Sequence, residues 1–165
     1  MLNMNLTKIS KKIKLVLTDV DGVLTDGGFY YSSNGEILKK FFVRDGMGVT
    51  LLRKKEIPTI IVTKEKSPIV KTWCQKMKIQ KIYDGVIKKE IILEKVSSIY
   101  KVKPSEVAYI GDDINDVELL KKVGLSAAPL DASIEAKKVS YYICKKKGGK
   151  GAFREVADLI LKNHK

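Results

Sequence analysis

Cysteine is scarce in this chain of 165 residues: only Cys74 and Cys144 occur. Two thiols so far apart make neither a disulfide framework nor a zinc site, and they point to a reducing, cytoplasmic compartment. No apolar run approaches the roughly 18 residues of a membrane span. Residues 1–14 are polar and lysine-rich with no apolar stretch, so no secretion signal is expected. The one histidine, His164, is penultimate and expected to be exposed, hence no metal ligand. Aromatics make up 7%, too few to interleave with basic residues as stacking platforms. Acidic residues number 19 against 32 Lys+Arg, a net charge of +13. The lysines are scattered, mostly in pairs, which reads as a solvated surface able to steer an anion into a cleft. Neither nucleic acid nor a membrane is expected as a partner.

What is present is enough for a core. Apolar residues are 44% of the chain, and a length of this order suits one domain spanning 1–165. Short apolar runs alternate with amphipathic segments. Strands are expected at 13–18, 57–63, 81–83 and 107–110, with weaker ones at 125–127 and 141–143. Helices are expected at 44–55, 67–77, 90–100, 117–123, 134–139 and 152–161, where apolar residues recur at helical spacing. Trp73 falls on such a stripe and reads as core or interface. This alternation predicts an α/β fold, a doubly wound, mostly parallel, Rossmann-like sheet. Residues 28–42 break it: Phe29-Tyr30-Tyr31 and the stretch from Glu36 flank Asn34-Gly35, a type I′ turn signal, so a small β-hairpin flap is expected.

Chemistry concentrates at the strand ends. The first strand runs into Asp19-Val20-Asp21-Gly22, and the fourth into Gly111-Asp112-Asp113-Ile114-Asn115-Asp116. Open α/β sheets bind ligands at the carboxyl ends of their strands. Carboxylates gathered there repel one another unless a hard cation such as Mg²⁺ sits among them. Thr63 closes the second run, and Lys88 and Lys89 follow the third. A lone Asp-x-Asp is an ordinary loop with capping acids, and a lone Thr or Lys is ordinary too. Together, carboxylates, hydroxyl, ammonium and Mg²⁺ make a phosphoryl-transfer site. One carboxylate can attack phosphorus and another can shuttle the proton.

Asp19-Val-Asp21-Gly22-Val-Leu-Thr25, Thr63, Lys89 and Gly111-Asp112-Asp113-Ile-Asn-Asp116 resemble the four motifs of the haloacid dehalogenase superfamily of phosphohydrolases. The segments 26–30, 43–48 and 148–155 resemble its capless branch, which acts on octulosonate 8-phosphate or nonulosonate (KDN, sialic-acid) 9-phosphate. The resemblance implies Asp19 as nucleophile and metal ligand. It implies Asp21 as general acid/base, with its carbonyl on the metal, and Asp112 as a further ligand. Thr63 would bind the phosphoryl oxygens, and Lys89, preferred over Lys88, would pair with Asp19. Asp113 and Asp116 would orient Lys89 and metal-bound water from behind. Thr25, Glu65, Lys76 and Lys150 are carried as candidate substrate contacts. With no cap domain, the family's answer is a homotetramer in which a neighbour's hairpin and C-terminal tail (145–165), with its flexible glycines 148–151, complete the pocket.

The chain departs from the octulosonate pattern after Thr63, where Lys64-Glu65 stands in place of Gly-Arg. Glu65 with Lys76 resembles the nonulosonate enzymes, and the expectation leans to a nine-carbon sugar-acid phosphate, with octulosonate 8-phosphate as the alternative. A phospho-receiver domain would lack an acid two residues after the phosphorylated one, so Asp21 speaks against it. A non-catalytic assembly domain would have lost an acid, whereas Asp19, Asp21 and Asp112 all stand.

Overall fold

A computed structural model describes residues 2–164. Six parallel strands form the sheet: β1 (Leu15–Thr18), β4 (Thr59–Val62), β5 (Ile82–Tyr83), β6 (Val107–Ile110), β7 (Leu125–Ala128) and β8 (Tyr142–Ile143). Their spatial order is β5-β4-β1-β6-β7-β8. A separate antiparallel pair, β2 (Tyr30–Ser32) and β3 (Gly35–Leu38), makes the hairpin. The helices are α1 (Leu2–Ser10), α2 (Val43–Lys54), α3 (Pro68–Met77), α4 (Ile91–Tyr100), α5 (Val117–Leu120), α6 (Ile134–Val139) and α7 (Ala152–Asn163).

Side chains of a strand alternate between faces, and β1 is buried on both. Val16 joins a core with Val49 and Leu52 of α2, Cys74 of α3 and Phe153, Val156 and Ile160 of α7. Leu15 and Leu17 join the opposite core, with Ile92, Leu93 and Val96 of α4, Leu119 of α5 and Ala136 of α6. Helices thus cover both faces, as the strand–helix alternation predicts. The expected helix at 117–123 is shorter, and a 3-10 turn (Ile114–Asp116) precedes it.

Helix α1 falls in the segment read only as polar. Its half-buried Leu6 and Ile9 pack on the α2–α7 core, and Asn163 Nδ2 donates to Ser10 Oγ at 2.8 Å. Nine residues are too few for a stable isolated helix, so this docking, rather than propensity, holds it. His164 is not exposed as expected: it is half-buried, with Nε2 3.2 Å from the Ser10 carbonyl.

The hairpin forms, but its turn is not type I′. Ser32 pairs with Gly35, so Ser33 and Asn34 are central, and neither has positive φ. Type I′ needs both positive. Only Gly35, at φ +109°, takes the conformation that a side chain would resist, while Asn34 N–H donates to Ser32 Oγ.

The C-terminal glycines are not a free tail. Gly148 N–H donates to Asp131 Oδ1 at 2.9 Å and Gly149 N–H to the Val23 carbonyl at 2.9 Å. The segment is docked on the chain's own β1 loop, and α7 beyond it is core. Backbone donors that meet buried acceptors leave a glycine-rich segment little freedom.

Candidate active site

The switch point of the sheet decides where the site lies. The chain runs outward from β1 to β4 and β5, then returns to β6 on the other side of β1. The crevice between the β1 and β6 loops opens there, where doubly wound sheets bind ligands. A cavity of about 490 Å³ occupies it, lined by Asp19, Asp21, Phe29, Thr63, Glu65 and Asp112 among others.

Asp19 leaves β1 buried, with its Oδ1 accepting from Val20 N–H at 2.7 Å and its Oδ2 2.9 Å from Lys89 Nζ. Lys89 is fully buried and reaches Asp116 Oδ1 at 2.7 Å, whereas Lys88 is exposed. The choice between the two lysines is therefore one of direction: 89 points inward. Asp116 is the most fully committed acid. It also accepts from the Tyr109 hydroxyl at 2.5 Å and from the backbone N–H groups of Asp112 and Asp113 at 2.8 and 3.2 Å. Tyr109 was missed in the sequence; its one signal is a phenol in the otherwise apolar run of β6.

The electrostatics follow from burial. Desolvation pushes the Asp19 carboxyl up to about 7 despite the pull of Lys89. Burial, then Asp19 and Asp116, push Asp112 up to about 8. For Lys89, burial works downward, but Asp19 and Asp116 outweigh it and the net shift is upward, so the ammonium stays charged. Oxygens of Asp19, Asp112 and Asp116 lie within 4.8 Å of one another. Two buried carboxyls raised in this way beside a third acid, with Lys89 as the cation among them, are a donor set deficient in positive charge. It fits a hard divalent cation. Gly22, at φ +87°, makes room: a Cβ there would fall 1.9 Å from Asp112 Oδ2.

Asp21 faces the same cavity but is held differently. Its Oδ1 accepts from Lys39 Nζ at 2.6 Å and from the Thr25 hydroxyl at 3.3 Å, and its Oδ2 is buried with no partner. Lys39, at the end of the hairpin, was missed. A Glu36/Lys39 pair on a turn reads as solvated surface until the hairpin folds back.

Other candidates land elsewhere. Thr63 is buried and lines the cavity beside Asp19. Asp113 is exposed, and its Oδ1 caps the 3-10 turn by accepting from Ile114 N–H at 2.8 Å, so orientation of Lys89 falls to Asp116 alone. Thr25 is fully buried beneath the loop, bonded to Asp21 and to Gly27 N–H, and does not line the cavity. Glu65 is exposed on the cavity wall, but Lys76 is not beside it. About two turns into α3, Lys76 lines a different groove with Trp73, Met77 and Met47. Trp73 is half-buried there, stacked on Phe41 at 4.5 Å. Lys150 lines a third, basic groove with Arg44 and Arg154, outside the cavity of its own chain.

The profile of the haloacid dehalogenase-like hydrolases matches residues 53–155. The 3-deoxy-D-manno-octulosonate 8-phosphate phosphatase of Escherichia coli K12 is 40% identical over 152 residues, 92% of this chain and 81% of that protein. The crystal structure of the Yersinia pestis phosphatase of the same name superposes with a TM-score of 0.94 at 36% identity, covering 96% of this chain and 86% of that one. The Moraxella catarrhalis phosphatase of that name was solved in complex with a magnesium ion, a phosphate ion and a KDO molecule. It superposes at 0.93 with 35% identity, covering 96% of this chain and 91% of that one. With these matches spread over nearly its whole length, the chain belongs to the haloacid dehalogenase-like hydrolases.

Proposed function

We propose that this chain is a Mg²⁺-dependent phosphatase that hydrolyses the terminal phosphate monoester of 3-deoxy-D-manno-octulosonate 8-phosphate. The observation that carries the chemistry is the buried Asp19–Lys89–Asp116 bridge with Asp112 and Asp21 facing the same cavity. The eight-carbon substrate is the one in the names of the similar phosphatases. It replaces the nine-carbon leaning, whose Glu65/Lys76 signature is divided between two grooves.

Asp19 attacks phosphorus, forming an O–P bond as the bond from phosphorus to the sugar oxygen breaks. Lys89 holds Asp19 in position and keeps its negative charge accessible despite burial. Asp21 gives its proton to the departing sugar oxygen, then takes one from the water that attacks the aspartyl phosphate. Inorganic phosphate leaves, and Asp19 is regenerated. Thr63, on the cavity wall, donates to the phosphoryl oxygens. Asp19 and Asp112, with the Asp21 carbonyl, would hold Mg²⁺, which would neutralise charge on those oxygens.

A homotetramer is part of this reading. The hairpin leaves Tyr31, Ile37 and Leu38 more than half exposed, an apolar surface that a second copy would cover. No helix among the described residues is long and apolar enough to cross a membrane. The two free, buried thiols support a reducing, cytoplasmic setting.

The test is phosphate release from octulosonate 8-phosphate, KDN 9-phosphate and N-acetylneuraminate 9-phosphate. The eight-carbon ester should turn over best, EDTA should abolish release, and Asp19→Asn should remove it. Normal turnover by Asp19→Asn overturns the mechanism, and preference for a nine-carbon ester overturns the substrate. Light scattering that finds a monomer overturns the assembly.

A further inference from the structure

The hairpin ends in a buried cation with no contact to the nucleophile. Lys39 is 4% exposed. Its ammonium lies 2.6 Å from Asp21 Oδ1, 2.9 Å from Glu36 Oε1 and 3.8 Å from the centroid of the Phe29 ring. Three N–H bonds thus meet two carboxylates and one aromatic face, which accounts for every donor an ammonium has. Phe29 itself lines the cavity, whereas Lys39 is not among the lining residues. Glu36 is anchored in turn: its Oε2 accepts from the Ser67 hydroxyl at 2.5 Å, and Ser67 is the N-cap of α3, accepting from Val70 N–H. A line of hydrogen bonds therefore runs from the α3 cap through the hairpin to Asp21.

The consequence lies in how the two Asp21 oxygens are used. Oδ1 carries both Lys39 and Thr25, while Oδ2 is buried and has no partner. An unpaired buried oxygen is expensive unless it has a use. We propose that Lys39 is a positioning residue: it clamps Asp21 Oδ1 and fixes the carboxyl's orientation, so that Oδ2, the oxygen left without a partner, carries the proton to and from the reacting oxygen. The clamp rests on the phosphatase reading above and deepens it. It makes the hairpin part of the acid/base machinery as well as a cover.

The experiment exploits leaving groups. An alkyl phosphate needs a proton on its departing oxygen, whereas p-nitrophenolate leaves without one. Rapid-quench bursts are measured for octulosonate 8-phosphate and p-nitrophenyl phosphate on the Mg²⁺-loaded enzyme. Lys39→Met should slow the alkyl burst by about 10²-fold and the nitrophenyl burst by less than about tenfold, with KM little changed. Added to Asp21→Asn, it should slow the alkyl burst no further, because both act through one group. Lys39→Arg keeps a cation beside Asp21 and should retain more of the alkyl rate than Lys39→Met. Should Lys39→Met fail to fold, Glu36→Gln should show the same leaving-group pattern at smaller amplitude. Equal losses for both substrates, or additive losses with Asp21→Asn, overturn the clamp while leaving the phosphatase intact. A wild-type enzyme that releases no phosphate from either substrate fails at the phosphatase reading itself, and the clamp falls with it.

Discussion

Two buried lysines bridge two pairs of carboxylates in this molecule, and the regions that supply them differ. Lys89 comes from the segment between β5 and α4, held within the sheet scaffold, and its side chain and that of Asp116 are fully buried. Lys39 comes from a two-stranded hairpin whose β2 residues are exposed, and its partners Asp21 and Glu36 each keep 15% of their side-chain surface. On the proposed mechanism the scaffold lysine holds the nucleophile and the hairpin lysine the acid/base. A nucleophile must stand in one place, so it belongs on the most over-determined part of the fold. Asp21 leaves the same β1 loop two residues on, but its charge partner comes from the hairpin.

The comparison breaks most sharply at Lys89. Lys89→Met leaves Asp19 and Asp116 buried without a counter-charge and should cost about 3–5 kcal/mol in urea unfolding, because removal of one partner strands the others. Burst rates should fall by about 10²–10³-fold for both leaving-group classes, since loss of one charge-stabilising donor is felt by any phosphate ester. A stable, active Lys89→Met would sink the scaffold half of the contrast. Lys39→Met should cost less in the same unfolding experiment, about 1–3 kcal/mol, because Asp21 and Glu36 retain access to water. Equal costs would mean that the hairpin is as integral as the sheet.

Asp45 sharpens the contrast from the opposite side of the sheet. It is fully buried, and its Oδ1 accepts from Arg154 N–H at 2.8 Å at the start of α7. Burial raises its carboxyl from 3.8 to about 6, against the lowering pull of the Arg154 and Gly151 N–H groups. A raised acid binds its proton more tightly folded than unfolded. Its contribution is fully present below about pH 3.8 and is lost as pH rises through about 6, roughly 3 kcal/mol in all. Asp45→Asn keeps the acceptor and cannot ionise. Its stability should therefore fall less than the wild type's between pH 4 and pH 6.5 in urea titrations. A wild-type slope retained in Asp45→Asn would assign the effect to another group. The smallest effect is expected at Lys76, which lies on the Trp73 groove: Lys76→Ala should leave phosphate release within about twofold of wild type. A large loss would bring Lys76 back to the substrate.

Much of the candidate site was legible because its residues leave strands at predictable ends. Asp19, Thr63 and Asp112 follow apolar runs directly, and parallel strands carry such residues to one rim whatever their packing details. Lys39 and Tyr109 were not legible in the same way. Their partners lie 18 residues before and 7 residues after them, and the bonds exist only once the hairpin folds back and the β6 loop curls. Lys76 and Thr25 lie off the cavity for the converse reason. A helix carried Lys76 around to another face, and a tight loop turned Thr25 beneath its own backbone. Neither rotation is written in the spacing.

Hydrophobic patterning and the acids at its breaks determined by themselves that this chain forms a doubly wound α/β sheet with phosphoryl-transfer chemistry at its carboxyl edge. Periodicity of 2 and 3.6 residues is local and survives any packing. Which lysine points inward, which oxygen of Asp21 stays free and which basic residues miss the cavity were decided only by the tertiary structure. Those outcomes depend on contacts between distant segments and on burial, the quantity that converts a surface charge pair into a fixed electrostatic device.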